Sequence, residues 1–204
     1  MGHIDAQYWD DKYLSREQLF SGNPNGVLVT EATDLPPGRA LDVGCGEGAD
    51  AIWLASRGWQ VTAVDISRIA LERAEASATD DIAGRITWKQ GDMTTTPPPV
   101  GAFDLVSAHY VPLLREPEHT ALRGLLDAVA PGGTLLFVNH DLTDLPSHPE
   151  QEFDFSDYYQ PDEIAVLLGH DWTIQVNETR PRAAPTPADT HHVHDTVLRT
   201  RRRS

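Results

Sequence analysis

Three aspartates and a cluster of glycines carry the chemistry that can be read first. The stretch LDVGCGEGADAIWLA, residues 41–55, places Gly44, Gly46 and Gly48 within five positions. Glycine lets a backbone approach a ligand where a Cβ would clash. An apolar run leading through such a turn into a helix aims backbone N–H groups at a polar or anionic ligand group. Gly44, Gly46 and Ala49 also fit the G-x-G-x-x-G/A spacing of dinucleotide sites, so glycine spacing alone does not choose the ligand. The acids around it do more. Asp42 lies just before the first glycine, where a carboxylate would repel a pyrophosphate but attract an ammonium. Asp65 ends the next apolar run and suits a ribose diol, a feature shared with dinucleotide sites. Asp92 follows Gly91 at the end of a third run, suited to accept from an adenine amino group, with Met93 as apolar cover. Three carboxylates around one crevice suit a ligand with a cationic end and no phosphates.

A second group concerns the other reactant. His109 closes a fourth apolar run, FDLVSAH; its ordinary pKa near ~6.5 suits proton abstraction, and packing against the cofactor or bonding to the backbone is the alternative role. Tyr110 is the next candidate base, and Ser107 to Tyr110 would face a reacting group. HHVHD, residues 191–195, puts His192 and His194 on one face of a strand. Two histidines and a carboxylate could ligate zinc or iron. Without a flanking cysteine no metal is expected, and either ring could instead reach the acceptor. Cys45 stands at a helix N-terminus, where a thiol pKa can fall. A plain loop residue with its backbone toward the ligand is the preferred reading over a redox sensor.

The elements that must position these groups alternate. RALDVG, WQVTAVD, RITWKQGD, FDLVSAH and TLLFVNH read as strands, with helices GADAIWLASRG, RIALERAEAS and HTALRGLLDAVA among them. Ser67 is placed to cap the second of these helices and Gly58 to end the first. The pattern predicts an α/β fold, a mostly parallel sheet with helices on both faces. After the helix PDEIAVLLG, the runs DWTIQVNETRP and HHVHDTVLRTRR have no helix between them and should pair antiparallel. Ahead of the sheet, residues 5–20 read as one helix with Trp9 and Tyr13 four apart on one face. A shorter helix follows over residues 27–35. Residues 139–160 are long for a connection, rich in acids and aromatics, and leave the functional sheet edge; they suit an acceptor loop, the acids favouring a cationic or neutral acceptor. A single domain is expected, with a helical cap over residues 1–38, a cofactor core over 39–140 and an acceptor side over 141–204.

Composition narrows the class. The chain has 204 residues, 40% of them hydrophobic, enough for a buried core. A net charge of −15 disfavours nucleic acid as a partner. One cysteine fits a reducing compartment, and no signal-like or membrane-length apolar run is visible. A cytoplasmic chain without a membrane partner is expected; the sequence does not fix its oligomeric state.

S-adenosylmethionine carries an ammonium, a sulfonium, a ribose diol and an adenine, and matches the three acids. LDVGCGEG, VTAVDIS, GDM, FDLVSAHYV and LLDAVAPGGTLLF, in this order over residues 39–140, resemble the class I S-adenosylmethionine-dependent methyltransferases. That family's Rossmann-like sheet has seven strands, ending in an antiparallel pair. The resemblance implies that the backbone of Asp42, Gly44, Cys45 and Gly46 lines the methionine part. It also implies that Asp65 holds the ribose, Ile66 and Met93 flank the adenine, and Asp92 meets its amino group. Ser107 and His109 would lie near the methyl group, and the product would be S-adenosylhomocysteine. YWDDKY followed by SGNPNGVL resembles the small-molecule branch that includes tellurite-resistance and thiopurine-type methyltransferases. Phe20 replaces the tryptophan expected there. In that branch the first helix closes over the cofactor, with Trp9 and Tyr13 as cover and Asn25 as a polar contact. The acceptor would be a small molecule with a sulfur, selenium or tellurium nucleophile, or else an oxygen or nitrogen of a natural product. A dehydrogenase using NAD(P) and a non-catalytic cofactor-binding regulator are the rival classes.

Overall fold

The computed structural model describes residues 5–144, 157–182 and 193–204. Seven strands form one sheet: β1 (Arg39–Val43), β2 (Gln60–Asp65), β3 (Ile86–Gln90), β4 (Phe103–His109), β5 (Val129–His140), β6 (Trp172–Pro181) and β7 (His194–Arg202). Their order is β3-β2-β1-β4-β5-β7-β6. β3, β2, β1, β4 and β5 are parallel, while β7 runs antiparallel to both β5 and β6. The expected α/β class and the antiparallel C-terminal pair are therefore both present. Strand order reverses between β1 and β4, and such a switch point opens a crevice at the carboxyl ends of the strands.

Among the described residues, seven α-helices accompany the sheet: α1 (Ala6–Leu14), α2 (Gly26–Ala32), α3 (Ala49–Ser56), α4 (Arg68–Ser77), α5 (Asp80–Ala83), α6 (Thr120–Ala128) and α7 (Pro161–Leu167). Successive strand residues point to opposite faces, and the two cores divide accordingly. Ala40, Leu105, Leu136 and Val197 pack with Leu28, Ala51 and Leu54 of α2 and α3. Leu41, Val106, Phe137 and Leu198 pack with Leu122, Leu125 and Ile164 of α6 and α7. Among the described residues, no helix is long and apolar enough to cross a membrane.

Several expected boundaries move. α1 stops at Leu14 rather than running on to residue 20. The Ser15 hydroxyl turns back to the Lys12 carbonyl at 2.6 Å, and the Leu19 and Phe20 N–H groups are taken by the Glu47 carboxylate. β5 begins at Val129, five residues before the expected start at Thr134; Phe103 pairs Val129 before a register shift, and Leu105 then pairs Thr134. Ser67 caps α4 as expected, accepting from the Ala70 N–H at 3.1 Å. The C-terminal strands are tied to the cap by Glu31 of α2, which bonds Arg180 at 2.6 Å and Arg199 at 3.3 Å.

Candidate active site

The turn after β1 is held from below and from one side. Gly44 and Cys45 donate their N–H groups to the Val64 carbonyl, and Gly46 donates to Asp65 Oδ2 at 2.8 Å. The other Asp65 oxygen accepts the Ser67 N–H at 2.8 Å. One buried carboxylate thus clamps the glycine turn to the start of α4. Gly44 and Gly46 have φ of 66° and 53°, a region that side chains rarely adopt. A Cβ on Gly44 would stand 2.6 Å from Val111 Cγ2, and one on Gly46 would stand 2.9 Å from the Tyr13 hydroxyl. The turn needs glycine for both reasons.

Asp42 lies beneath this turn at 2% exposure. Its carboxyl accepts the Ala51 N–H, while Oδ2 is buried without a hydrogen-bond partner. Burial, with Asp50 and Asp65 nearby, holds its pKa well above the usual carboxylate range. A buried acid with an orphaned oxygen beside a glycine cradle fits a cationic ligand group, which would supply the missing partner.

The same face of the sheet continues with β4. His109 Nδ1 lies 3.0 Å from Ser107 Oγ and 3.5 Å from Asp50 Oδ2. Burial lowers the His109 pKa, opposed by the charges of Asp50 and Asp195, so the ring is neutral near pH 7. Its Nε2 is buried without a hydrogen-bond partner.

The matching family model, described as a methyltransferase domain, covers residues 40–133. Thiocyanate methyltransferase 1 of Brassica oleracea is 31% identical over 164 residues, spanning 79% of this chain and 70% of that protein. The chain belongs to the class I S-adenosylmethionine-dependent methyltransferases. Two solved structures share the fold of this methyltransferase. One, described for conversion of a disulfide bond into a thioacetal group during echinomycin biosynthesis, superposes with a TM-score of 0.72 at 22% identity, covering 98% of this chain and 92% of that one. The other is an S-adenosylmethionine-dependent methyltransferase from Mesorhizobium loti, with a TM-score of 0.59 at 20% identity, covering 82% and 94%. S-adenosylmethionine is the cofactor and S-adenosylhomocysteine the product. The dinucleotide reading of the glycine spacing gives way: a buried, unpartnered Asp42 oxygen under the turn suits an ammonium and opposes a pyrophosphate.

The remaining residues of the methyltransferase fall into three groups. At the β2 and β3 ends, the Ile66 carbonyl accepts from Gln90 Nε2 at 3.1 Å. Asp92 Oδ1 accepts both the N–H and the hydroxyl of Thr94, so this carboxylate also shapes its own loop. Met93 is buried with Leu41 and Val43 on the α6 side of the sheet.

In the cap, Asp10 accepts the Ser67 hydroxyl at 2.6 Å and docks α1 on the start of α4. Tyr13 is buried above Gly46, with Trp9 at 6.2 Å and Phe20 at 6.1 Å between ring centroids. Asn25 reaches Asp50 instead of the glycine turn: its N–H donates to Oδ1 at 2.7 Å and its amide to Oδ2 at 2.8 Å. It therefore orients the acid that faces His109. Glu47 holds the segment before α2 by accepting the Leu19 and Phe20 N–H groups and pairing with Arg73 at 3.0 Å. Glu47→Ala is expected to expose residues 15–20 to limited proteolysis several-fold faster, with little change in melting temperature. An unchanged cleavage rate there would show that Glu47 does not hold this segment.

Burial and the charges of Asp42 and Asp65 push the Cys45 thiol up rather than down, which supports the preferred reading of a plain loop residue over a redox sensor despite the helix N-terminus. Burial and Asp195 likewise push the Tyr110 phenol up, and Tyr110 hydrogen-bonds Asp195, which weighs against the expected role as a base. Sequence reasoning missed Asp50, His140 and Arg182, and weighed Asp195 only as the carboxylate of a metal reading. Asp195 was legible as the strand partner of the carboxyl-edge residues only once the β5–β7 register was known. His192 and most of the acidic loop lie outside the described residues.

Proposed function

We propose that this methyltransferase acts on a small molecule whose reacting atom is a soft nucleophile: sulfur, selenium or tellurium. The observation that carries this reading is the 31% identity, over most of both chains, to a thiocyanate methyltransferase. S-adenosylmethionine supplies an electrophilic methyl group on a sulfonium. The chain's own task is then positioning and desolvation, since an in-line displacement with a good leaving group needs little acid-base help. Asp42 receives the ammonium, Asp65 the ribose hydroxyls, and the N–H groups of the glycine turn the polar methionine end. Ile66, Asp92 and Met93 bound the adenine side. Tyr13 and Trp9 exclude water from above, and neutral His109 with Ser107 forms a low-polarity wall on the β4 side. A weakly hydrated soft nucleophile is easily stripped of water in such a cleft. The buried single cysteine and the acidic net charge support a cytoplasmic enzyme that does not bind nucleic acid.

The test is an acceptor panel of thiols, selenols, tellurite, phenols and amines, with deuterium-labelled methyl donor and mass spectrometry of the products. Labelled methyl on sulfur, selenium or tellurium is expected. Label only on oxygen or nitrogen acceptors would overturn the soft-acceptor reading. In the same assay His109→Ala is expected to lower kcat by roughly tenfold or more while the affinity for S-adenosylhomocysteine changes less than about threefold.

A further inference from the structure

We propose that His140, oriented by Asp195, takes the proton from a protonated acceptor, and that His109 is a positioning residue. This inference rests on the reading that the acceptor is a thiol or its heavier analogue. His140 ends β5 and lies directly opposite Asp195 in the antiparallel β5–β7 register. His140 Nδ1 stands 3.4 Å from Asp195 Oδ1. Asp195 is 2% exposed, hydrogen-bonds the Tyr110 phenol and lies 3.7 Å from Arg182 Nε. The Tyr110 ring stacks on the His140 ring at 4.0 Å, with planes 20° apart, and the Arg182 guanidinium lies 5.3 Å from the centroid of the Tyr110 ring. Tyr110 reaches this place through a left-handed backbone, φ 57°, which a non-glycine residue adopts rarely.

The two histidines differ in access. The His140 side chain is 27% exposed and that of His109 is 3%. A base that meets an incoming acceptor and then returns its proton to solvent needs the first kind of ring. At 3.4 Å the pair stands at ion-pair distance rather than in a formed hydrogen bond; a proton on Nδ1 would complete that bond to the carboxylate and leave Nε2 as the basic atom. Distances of this length in a ligand-free site tighten when the reactants are in place. The charged and titratable groups around His140 are Asp195 from β7 and Tyr110 at the β4 end, with Arg182 beyond β6 placed at both of these; His109 meets the far partner Tyr110, and Asp50 of α3 lies against His109 and Asn25. In the step, the acceptor S–H bond breaks and its proton goes to His140 Nε2. The sulfur pair forms the bond to the methyl carbon, and the methyl–sulfonium bond breaks with its pair going to the departing thioether. The imidazolium sits against Asp195 and loses its proton to water.

Two acceptors and one spectrum test this. At pH 7, 2-mercaptoethanol is protonated and 4-nitrothiophenol is ionised. His140→Gln is expected to lower kcat/KM for 2-mercaptoethanol roughly a hundredfold, a loss that shrinks as pH rises toward ionisation of the thiol. With 4-nitrothiophenol the change should stay within about twofold. In nitrogen NMR of the ligand-free full chain, His140 should carry its proton on Nδ1. Equal losses on both acceptors, no loss on either, the pH-dependent loss in His109→Gln instead, or an Nε2–H tautomer would each overturn the proposal. If the wild-type chain methylates 4-nitrothiophenol but not 2-mercaptoethanol, the base is absent and the proposal fails alone. If it methylates neither, the soft-acceptor reading fails with it.

Discussion

Asp65→Ala is expected to lower the melting temperature and to reduce affinity for S-adenosylhomocysteine by more than about a hundredfold. The carboxylate accepts the Gly46 N–H and the Ser67 N–H, each at 2.8 Å. Alanine leaves both donors without that acceptor in a buried place, and each orphan costs about 1–3 kcal/mol. A loss near ~3 kcal/mol shifts the melting temperature of a chain this size by roughly 6–12 °C. The affinity loss is larger than the missing ribose acceptor alone would cause, because the glycine turn loses its clamp. Thermal melts and calorimetry check the two halves separately. Asp65→Asn, which retains one acceptor oxygen, should fall between the wild type and alanine. A melting temperature unchanged by Asp65→Ala would mean that the clamp contributes nothing. An unchanged affinity would remove Asp65 from the ribose site.

Asp42→Asn is expected to do the opposite to stability. Burial raises the folded-state pKa of Asp42 above its ordinary value of 3.8. An acid with a raised folded pKa contributes stability that is fully present below the unfolded value and is lost as pH climbs toward the folded one. At pH 7 the group therefore opposes folding, and asparagine, which can still accept the Ala51 N–H, relieves this. The ligand-free variant should melt a few degrees higher at pH 7, with the gain vanishing near pH 3. Binding should move the other way. The ammonium loses its charged partner, and a charge-assisted hydrogen bond near ~2 kcal/mol corresponds to roughly a thirtyfold weaker complex. Wild-type affinity should also rise with pH over the window in which Asp42 ionises, a slope the variant lacks. A variant that is both less stable at pH 7 and equally tight would contradict the assignment.

The alternation of apolar runs and helices was legible because each strand is short and bounded by glycine, proline or a capping residue, as at Ser67 and Gly58. The antiparallel end was legible from the lack of a helix between the last two runs. The end of α1 was not, because it depends on Glu47, 27 positions beyond Phe20 in sequence. Within the site, Gly44, Gly46, Asp42 and Asp65 announced themselves through local spacing around one turn. Asn25 was named through the family resemblance, but its partner Asp50 was not legible, since the two face each other only after α2 and α3 pack on the same side of the sheet. The pairing of His140 with Asp195 needs the register of two strands that are 55 positions apart at this point. Cys45 shows the converse: its position at a helix start was correct, but burial beside two acids outweighs the helix in setting its thiol.

The central claim is methyl transfer to a soft nucleophile in a cleft that works by desolvation. Its most direct test is the ratio of kcat/KM for a thiol and a phenol of the same pKa and similar shape, measured with S-adenosylmethionine above the pH at which both ionise. With basicity matched and both acceptors ionised, only the softness of the reacting atom differs. Faster transfer to sulfur by about a hundredfold or more, some 2.7 kcal/mol of barrier, is the result expected here. Equal rates, or faster transfer to oxygen, would contradict it.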